Sequence, residues 1–564
     1  MRRLSLSLVM LLVLSLLMVF EVRHVSASSP PPDSIRYSDS VYYVKGRSFS
    51  GTHLDTHSND TTYHVSKGDR TNDVPQRMLS DGGGGFILNV RYKFTTGNLT
   101  KNQISKIEVE AYAHTDQNSS EYGVWLDIYN YRTVGWENIG FFYGNTSDQL
   151  ITWVNATVPV NYTADYVDDV GNMELKWFFW ASDISKLSIN FQCLKLTLRT
   201  WTFMVYMASD EWFLGGWAKG WNFTINTMEN SSVSTSDVAV IVQFDNYTES
   251  PSGVRRYLIL KDNNVENITS PILWFQDEVN MGDPSTLVDF VNWSIQRYPA
   301  KHYALVFWNH GYGFRGVCDD ENPADRLNMT ELKQALNDMG VTFDLIGFDA
   351  CVMGQLEVAY QIKEYAQVMI GYEARGDLYF LPYGVTFMNL TDDPMMSVVE
   401  LGMNFVTNFA NYRLANPSPN TTFQTISAVH LANITELASR VSDLAIELQQ
   451  NLEAIRDNIT QSRINVEEYA EQEDRDYVDI YHLAQLLKQN INNTTVENLC
   501  QQVKQALNAT IISEWHYPDG IHPDSHGLSL YFPDELGDYE AQYDYIGFTN
   551  CTQWDEFLKA YLGI

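Results

Sequence analysis

Positive charge is scarce in this chain. Against 70 Asp and Glu there are only 37 Lys and Arg among 564 residues, a formal net charge of −33. So acidic a surface repels phosphate backbones, which argues against nucleic-acid binding and suits a soluble protein or one that handles cationic substrates. The acids are spread along the chain, so most belong to a solvated surface. Cysteine is scarcer still, with five residues: Cys193, Cys318, Cys351, Cys500 and Cys551. That excludes a disulfide-built scaffold. The odd count leaves at least one thiol without an intramolecular partner. Long apolar runs are also missing, with one exception at Leu4 to Phe20. Arg2 and Arg3 precede it and Val25-Ser26-Ala27 offers a small-residue cut site, so residues 1–28 read as a secretory signal. The alternative is a retained N-terminal anchor. Pro30-Pro31-Pro32 then reads as an extended tether. Asn-X-Ser/Thr sequons recur, for example at Asn59, Asn98, Asn155, Asn246, Asn433 and Asn508. Together these features place the protein outside the cell or on its surface, as a glycoprotein. Export would permit a Cys500–Cys551 disulfide.

A chain of this length exceeds one ordinary core. Residues 29–199 read as an all-β domain. Short alternating runs such as Lys106 to Tyr112, Gly123 to Tyr129 and Leu187 to Phe191 are separated by Gly, Asn and Asp turns. This pattern predicts a β-sandwich of jelly-roll type, an accessory module whose aromatics, such as Trp136, can stack on cell-surface glycans. Residues 200–564 read differently. Buried-type strands at Phe203 to Met207, Val238 to Phe244, Tyr303 to Trp308 and Phe343 to Phe348 alternate with helical patterns. That is an α/β fold with a doubly wound, mostly parallel sheet and flanking helices.

Four of these strands are followed by a polar residue: Asp210, Asp245, His310 and Asp349. In such sheets, ligands bind beyond the carboxyl ends of the strands. Cys351 stands two residues beyond Asp349, so an imidazole and a thiol arrive at one edge. A thiol beside a proton acceptor is an activated nucleophile. Val352 to Gln367 reads as a helix, which would put Cys351 at a helix N-terminus and favour its thiolate. The amides of Gly311 and Cys351 are candidates for an oxyanion hole. Cys318 opens a loop and reads as a bystander. His526-Gly527 precedes its strand, where His310 follows one, so His526 ranks below His310. Thr330 to Met339 and Leu437 to Asn458 read as single helices, and Asp319 to Asn328 as an irregular acidic loop able to offer oxygen ligands to calcium.

Asn309-His310-Gly311, Gly316-Val317-Cys318-Asp319-Asp320 and Asp349-Ala350-Cys351-Val352-Met353-Gly354 resemble the clostripain family of cysteine peptidases. The likeness begins at Trp201-Thr202-Phe203-Met204 and ends at His526-Gly527-Leu528-Ser529-Leu530-Tyr531-Phe532-Pro533. It implies a caspase-like fold, a His310/Cys351 dyad and cleavage after basic residues, Arg over Lys, with Asp349, Glu373 and Asp377 lining the substrate pocket. It also raises calcium dependence and self-cleavage after Arg326 or Arg475. Two other classes stay open. One is a non-catalytic surface protein that binds sugars or proteins. The other is an asparagine-directed or transpeptidase relative.

Overall fold

The computed structural model describes most of residues 199–564, apart from 210–219, 232–233, 236, 246–252, 265–266, 377–380, 418–421 and 470–475. Of residues 1–198 it describes essentially the strands. The signal-like segment, the proline run, Asp210, Asp377 and Arg475 lie outside the described residues. Two compact units result, Met1–Arg199 and Thr200–Ile564.

The first unit contains two antiparallel sheets. One orders Ser40–Lys45, Phe86–Thr95, Asn172–Ala181, Tyr122–Asn130 and Gly135–Gly144 side by side. The other centres on the long strand Lys186–Thr197, flanked by His64–Lys67 and Lys106–Thr115. Alternation explains the strands. Leu126 and Ile128 are buried on one, Met173 and Leu175 on its neighbour, and Leu175 pairs with Ile128 in register. Trp136 is half-buried, its ring edge-on to Tyr129 with centroids 5.1 Å apart.

The second unit is built on nine strands, labelled here in chain order. They are β1 (Arg199–Met207), β2 (Val238–Phe244), β3 (Val254–Leu258), β4 (Ile272–Gln276), β5 (Ala300–Trp308), β6 (Phe343–Asp349), β7 (Ala366–Gly371), β8 (Thr425–His430) and β9 (Ile511–His516). Across the sheet the order is β4-β3-β2-β1-β5-β6-β7-β8-β9. The pairs β1–β2, β5–β6 and β6–β7 are parallel. Both flanks are antiparallel, β2–β3–β4 on one side and β7–β8–β9 on the other. The sheet is therefore mixed, more so than the sequence pattern indicates. Short hydrophobic strands look alike whichever way they run.

Both faces are covered, which is why the central strands are apolar at nearly every position. Met204 and Tyr206 of β1 join the core beneath Pro284–Arg297 and Met329–Met339. Phe203, Val205 and Met207 join the opposite core, with Phe387 and Phe405 from Tyr383–Asp392 and Val398–Ala415. Helix starts follow side-chain caps. Asp283 caps Pro284–Arg297. Asn328 caps Met329–Met339, in a capping box with Glu331. The long helix expected over Leu437 to Asn458 is two, Ile434–Gln450 and Leu452–Asn465, interrupted at Asn451. The stretch Asp319 to Asn328 is ordered as a hairpin, Val317–Glu321 paired with Ala324–Leu327. Cys500 and Cys551 are both free thiols, so the expected disulfide is absent. Among the described residues, no helix is long and apolar enough to cross a membrane.

Candidate active site

Parallel pairing of β5 with β6 sets the site. Trp308 pairs with Asp349, so His310 and Cys351, each two positions further, leave the sheet edge side by side. Gly311 shows how near the two loops run. A Cβ placed on it would lie 2.3 Å from the Cys351 carbonyl oxygen and 2.9 Å from Ala350 Cβ. Only glycine fits there. Gln355 ties the loops together, its Oε1 accepting from Phe314 N at 2.7 Å.

Asn309 organises the His310 loop from below. It is buried, and its Oδ1 accepts from the amides of His310 and, at 3.0 Å, Asp319, while its Nδ2 donates to the Ala208 carbonyl at the end of β1. Tyr312 completes the support. Its hydroxyl donates to Asp319 Oδ2 at 2.5 Å, Arg326 stacks over its ring at 3.4 Å, and its carbonyl accepts from Tyr477 at 2.8 Å. Arg326 also pairs with Asp319. Arg326 is half-buried, and the hairpin residues before it, Glu321 to Asp325, are exposed.

Cys351 does not open a helix. The next helix, Leu356–Ile362, starts five residues later and is seven residues long. The dipole of a helix end acts within its first turn, so it cannot be what activates this thiol. Instead Cys351 lies in a turn whose next residue, Val352, has φ +49°. A β-branched residue there is strained, a condition that surroundings must impose. They do so through the segment 372–376. Val352 N donates to Ala374 O at 3.0 Å and Gly354 N to Tyr372 O at 2.6 Å. Gly376 N donates to Cys351 Sγ at 3.3 Å. An N–H aimed at sulfur favours the thiolate, so a backbone amide supplies what the sequence pattern assigned to a helix.

Cys318 is wholly buried, and desolvation pushes its thiol well above its ordinary range. His526 packs its ring on Tyr481, 4.2 Å away, with Nδ1 3.2 Å from Asp479 Oδ1.

The acids expected to line a pocket are differently employed. Asp349 is 1% exposed. It accepts from Tyr372 Oη at 2.8 Å, Tyr383 Oη at 2.9 Å and Leu381 N at 3.1 Å. Burial pushes it up to about 7, although those donors favour the anion. Glu373 is equally buried and accepts from Gly527 N at 2.8 Å. Desolvation and the neighbouring Asp479 raise it well above the carboxylate range. Neither carboxylate presents an open charge.

Asp245, Glu278 and Asp320 bring one carboxylate oxygen each within 4.8 Å of one another. An all-oxygen set of this kind suits a hard cation such as calcium better than a soft metal. Asp320 comes from the acidic stretch marked in the sequence, and burial raises its carboxyl.

A model of the clostripain family matches residues 205–561. The chain belongs to the clostripain family. A curated relative, clostripain of Hathewaya histolytica, is 26% identical over 318 residues, which are 47% of this chain and 60% of that protein. A secreted C11 cysteine protease from Bacteroides thetaiotaomicron, solved with an irreversible peptide inhibitor, is 22% identical. That likeness covers 63% of this chain and all of that one, at a TM-score of 0.49. An inactive zymogen C11 protease from Parabacteroides distasonis is 19% identical, covering 63% of this chain and 99% of that one, at a TM-score of 0.50. This last likeness is one of fold: the mixed sheet with helices on both faces is the caspase-like arrangement.

Within this clostripain-family unit, sequence reading overlooked Asn309, Gly376, Thr425 and the tyrosines on Asp349. Asn309 could have been found, since an amide between a buried strand and a strand-end His has few bland uses. The others are distant in sequence, and no local pattern marks them.

Proposed function

We propose that the chain is an exported cysteine endopeptidase working through His310 and Cys351. The observation that carries this reading is the contact of Gly311 with the Cys351 carbonyl, which brings the His-Gly pair against the nucleophile turn. The Cys351 thiolate attacks the scissile carbonyl carbon. The amides of Gly311 and Cys351 hold the oxyanion, and the Gly376 amide attends the sulfur before attack. His310 gives a proton to the leaving amine. It then takes one from the water that hydrolyses the thioester, freeing Cys351. Export rests on the basic-apolar N-terminus and its cut site.

Preference for Arg over Lys is part of the proposal. A carboxylate pairs with guanidinium through two parallel hydrogen bonds, which an ammonium cannot fill. Asp349 and Glu373 already serve protein donors, which leaves Asp377 as the acid of this set to test. The deciding experiment uses the purified full chain on a peptide library. Cys351→Ala is expected to abolish cleavage and Cys318→Ala to retain it. Cleavage by Cys351→Ala at the parent rate would refute the assignment.

A further inference from the structure

The segment beside the nucleophile turn is itself held from behind by a buried acid. Three bonds join 372–376 to 351–354, the last being the Gly376 amide on Cys351 Sγ. Glu373 anchors that segment on its other side. Its own amide and that of Ala374 donate to Thr425 Oγ1 at 3.0 and 3.1 Å. Its Oε2 accepts from Gly527 N at 2.8 Å. The preceding amide, His526 N, binds Asp479 at 2.7 Å, a neighbouring carboxyl that is 0% exposed. Asp479 also accepts from His482 N at 2.6 Å. Burial, with the Asp479 carboxyl beside it, raises Glu373 well above its ordinary value, which favours its protonated form.

The other titratable groups facing the pair come from several elements. Tyr469 and Glu467 precede the short strand Tyr477–Asp479. His526 approaches from the chain before Ser529–Tyr531. Glu514 and His516 approach His526 and Asp479 from β9. His482 lies on Ile480–Asn490, where its Nδ1 accepts from Glu467 N at 3.0 Å.

We propose that Glu373 is a positioning residue for the nucleophile: tied to Gly527 N by its carboxyl and to Thr425 by its backbone, it clamps 372–376 so that the Gly376 amide stays on Cys351 Sγ. This rests on the reading of Cys351 as the nucleophile. Loss of the Glu373 proton places a buried anion beside the Asp479 carboxyl, and the repulsion loosens the clamp. Burial beside Asp479 raises Glu373, so the proton is held through the carboxylate range and lost as pH rises beyond it. Glutamine mimics the protonated acid, since its amide donates to Asp479 while its carbonyl accepts from Gly527 N.

The test follows alkylation of Cys351 by iodoacetamide with mass spectrometry, alongside peptide hydrolysis across pH, on the full chain. Glu373→Gln is expected to alkylate at the parent rate near neutrality and to keep hydrolytic activity on the alkaline side where the parent loses it. Glu373→Ala is expected to alkylate about tenfold more slowly, the effect of losing one hydrogen bond to a charged group. Its kcat should fall while KM holds. An alkaline fall in Glu373→Gln identical to the parent's overturns the proposal, and so does parent-rate alkylation of a folded Glu373→Ala. If the alanine variant does not fold, the glutamine profile alone decides. Cys351 alkylation that leaves hydrolysis intact sinks the peptidase reading and not the clamp.

Discussion

Asp349 is the residue whose position in the chain says least about its work. Standing two places before Cys351 at a strand end, it reads as a pocket acid. In the fold its carboxylate joins Tyr372, Tyr383 and the Leu381 amide. An asparagine there accepts with one oxygen only, and its NH2 faces donors. Asp349→Asn is therefore expected to lose about 1–3 kcal/mol of stability. Its activity should fall alike on Arg and neutral substrates, while Asp377→Asn loses Arg substrates selectively. Urea unfolding and kcat/KM on paired peptides check this. A stable Asp349→Asn with a selective loss on Arg would return the substrate-pairing role to Asp349. The same contrast of setting separates the two central cysteines. Cys318 is sealed in the core, whereas Cys351 is half-buried with an amide on its sulfur.

At the scale of elements, the site is two loops that follow adjacent parallel strands and touch. The strands were legible from their unbroken apolar runs. The helix after Cys351 was not, because hydrophobic spacing from Leu356 onward extends backwards through Val352 without a local stop. What ends it is tertiary: Gly354 N bonds to Tyr372 O, and Gly354 O accepts from Ser529 N at 2.9 Å. The contact between loops is tight enough to test. Gly311→Ala forces a methyl against the Cys351 carbonyl, where 2.3 Å is available. Displacing a loop of the site by an ångström can cost about 100-fold, and a loss of that order in kcat/KM is expected of the folded variant. Steady-state kinetics of the folded variant check it, and near-parent activity would show that the two loops need not touch.

For the molecule as a whole, the buried carboxyls set how stability responds to pH. Burial pushes Asp349, Glu357 and Asp476 each up to about 7. A carboxyl raised on folding binds its proton more tightly in the native state. Its contribution is full below the unfolded carboxylate range and lost as pH climbs towards 7. His516 and His526, also raised, act in the same direction. The melting temperature of the second unit is therefore expected to be higher at pH 5 than at pH 8, and Glu357→Gln to flatten that slope. Differential scanning calorimetry across this range checks it. A melting temperature that rises from pH 5 to pH 8 would contradict the assignment.

Sequence alone determined what depends on neighbours a few residues away. The apolar runs set the central strands, and period-two alternation marked the strands of the first unit. His310 and Cys351 were marked because each follows a strand of that kind. Tertiary structure alone decided which charges are available. Glu373 meets Gly527 and Asp479, Asn309 meets Ala208, and Cys500 stays apart from Cys551. Desolvation and hydrogen-bond satisfaction depend on groups far along the chain, in several cases more than a hundred residues distant. No window along the chain contains them, and only the folded sheet edge brings them together.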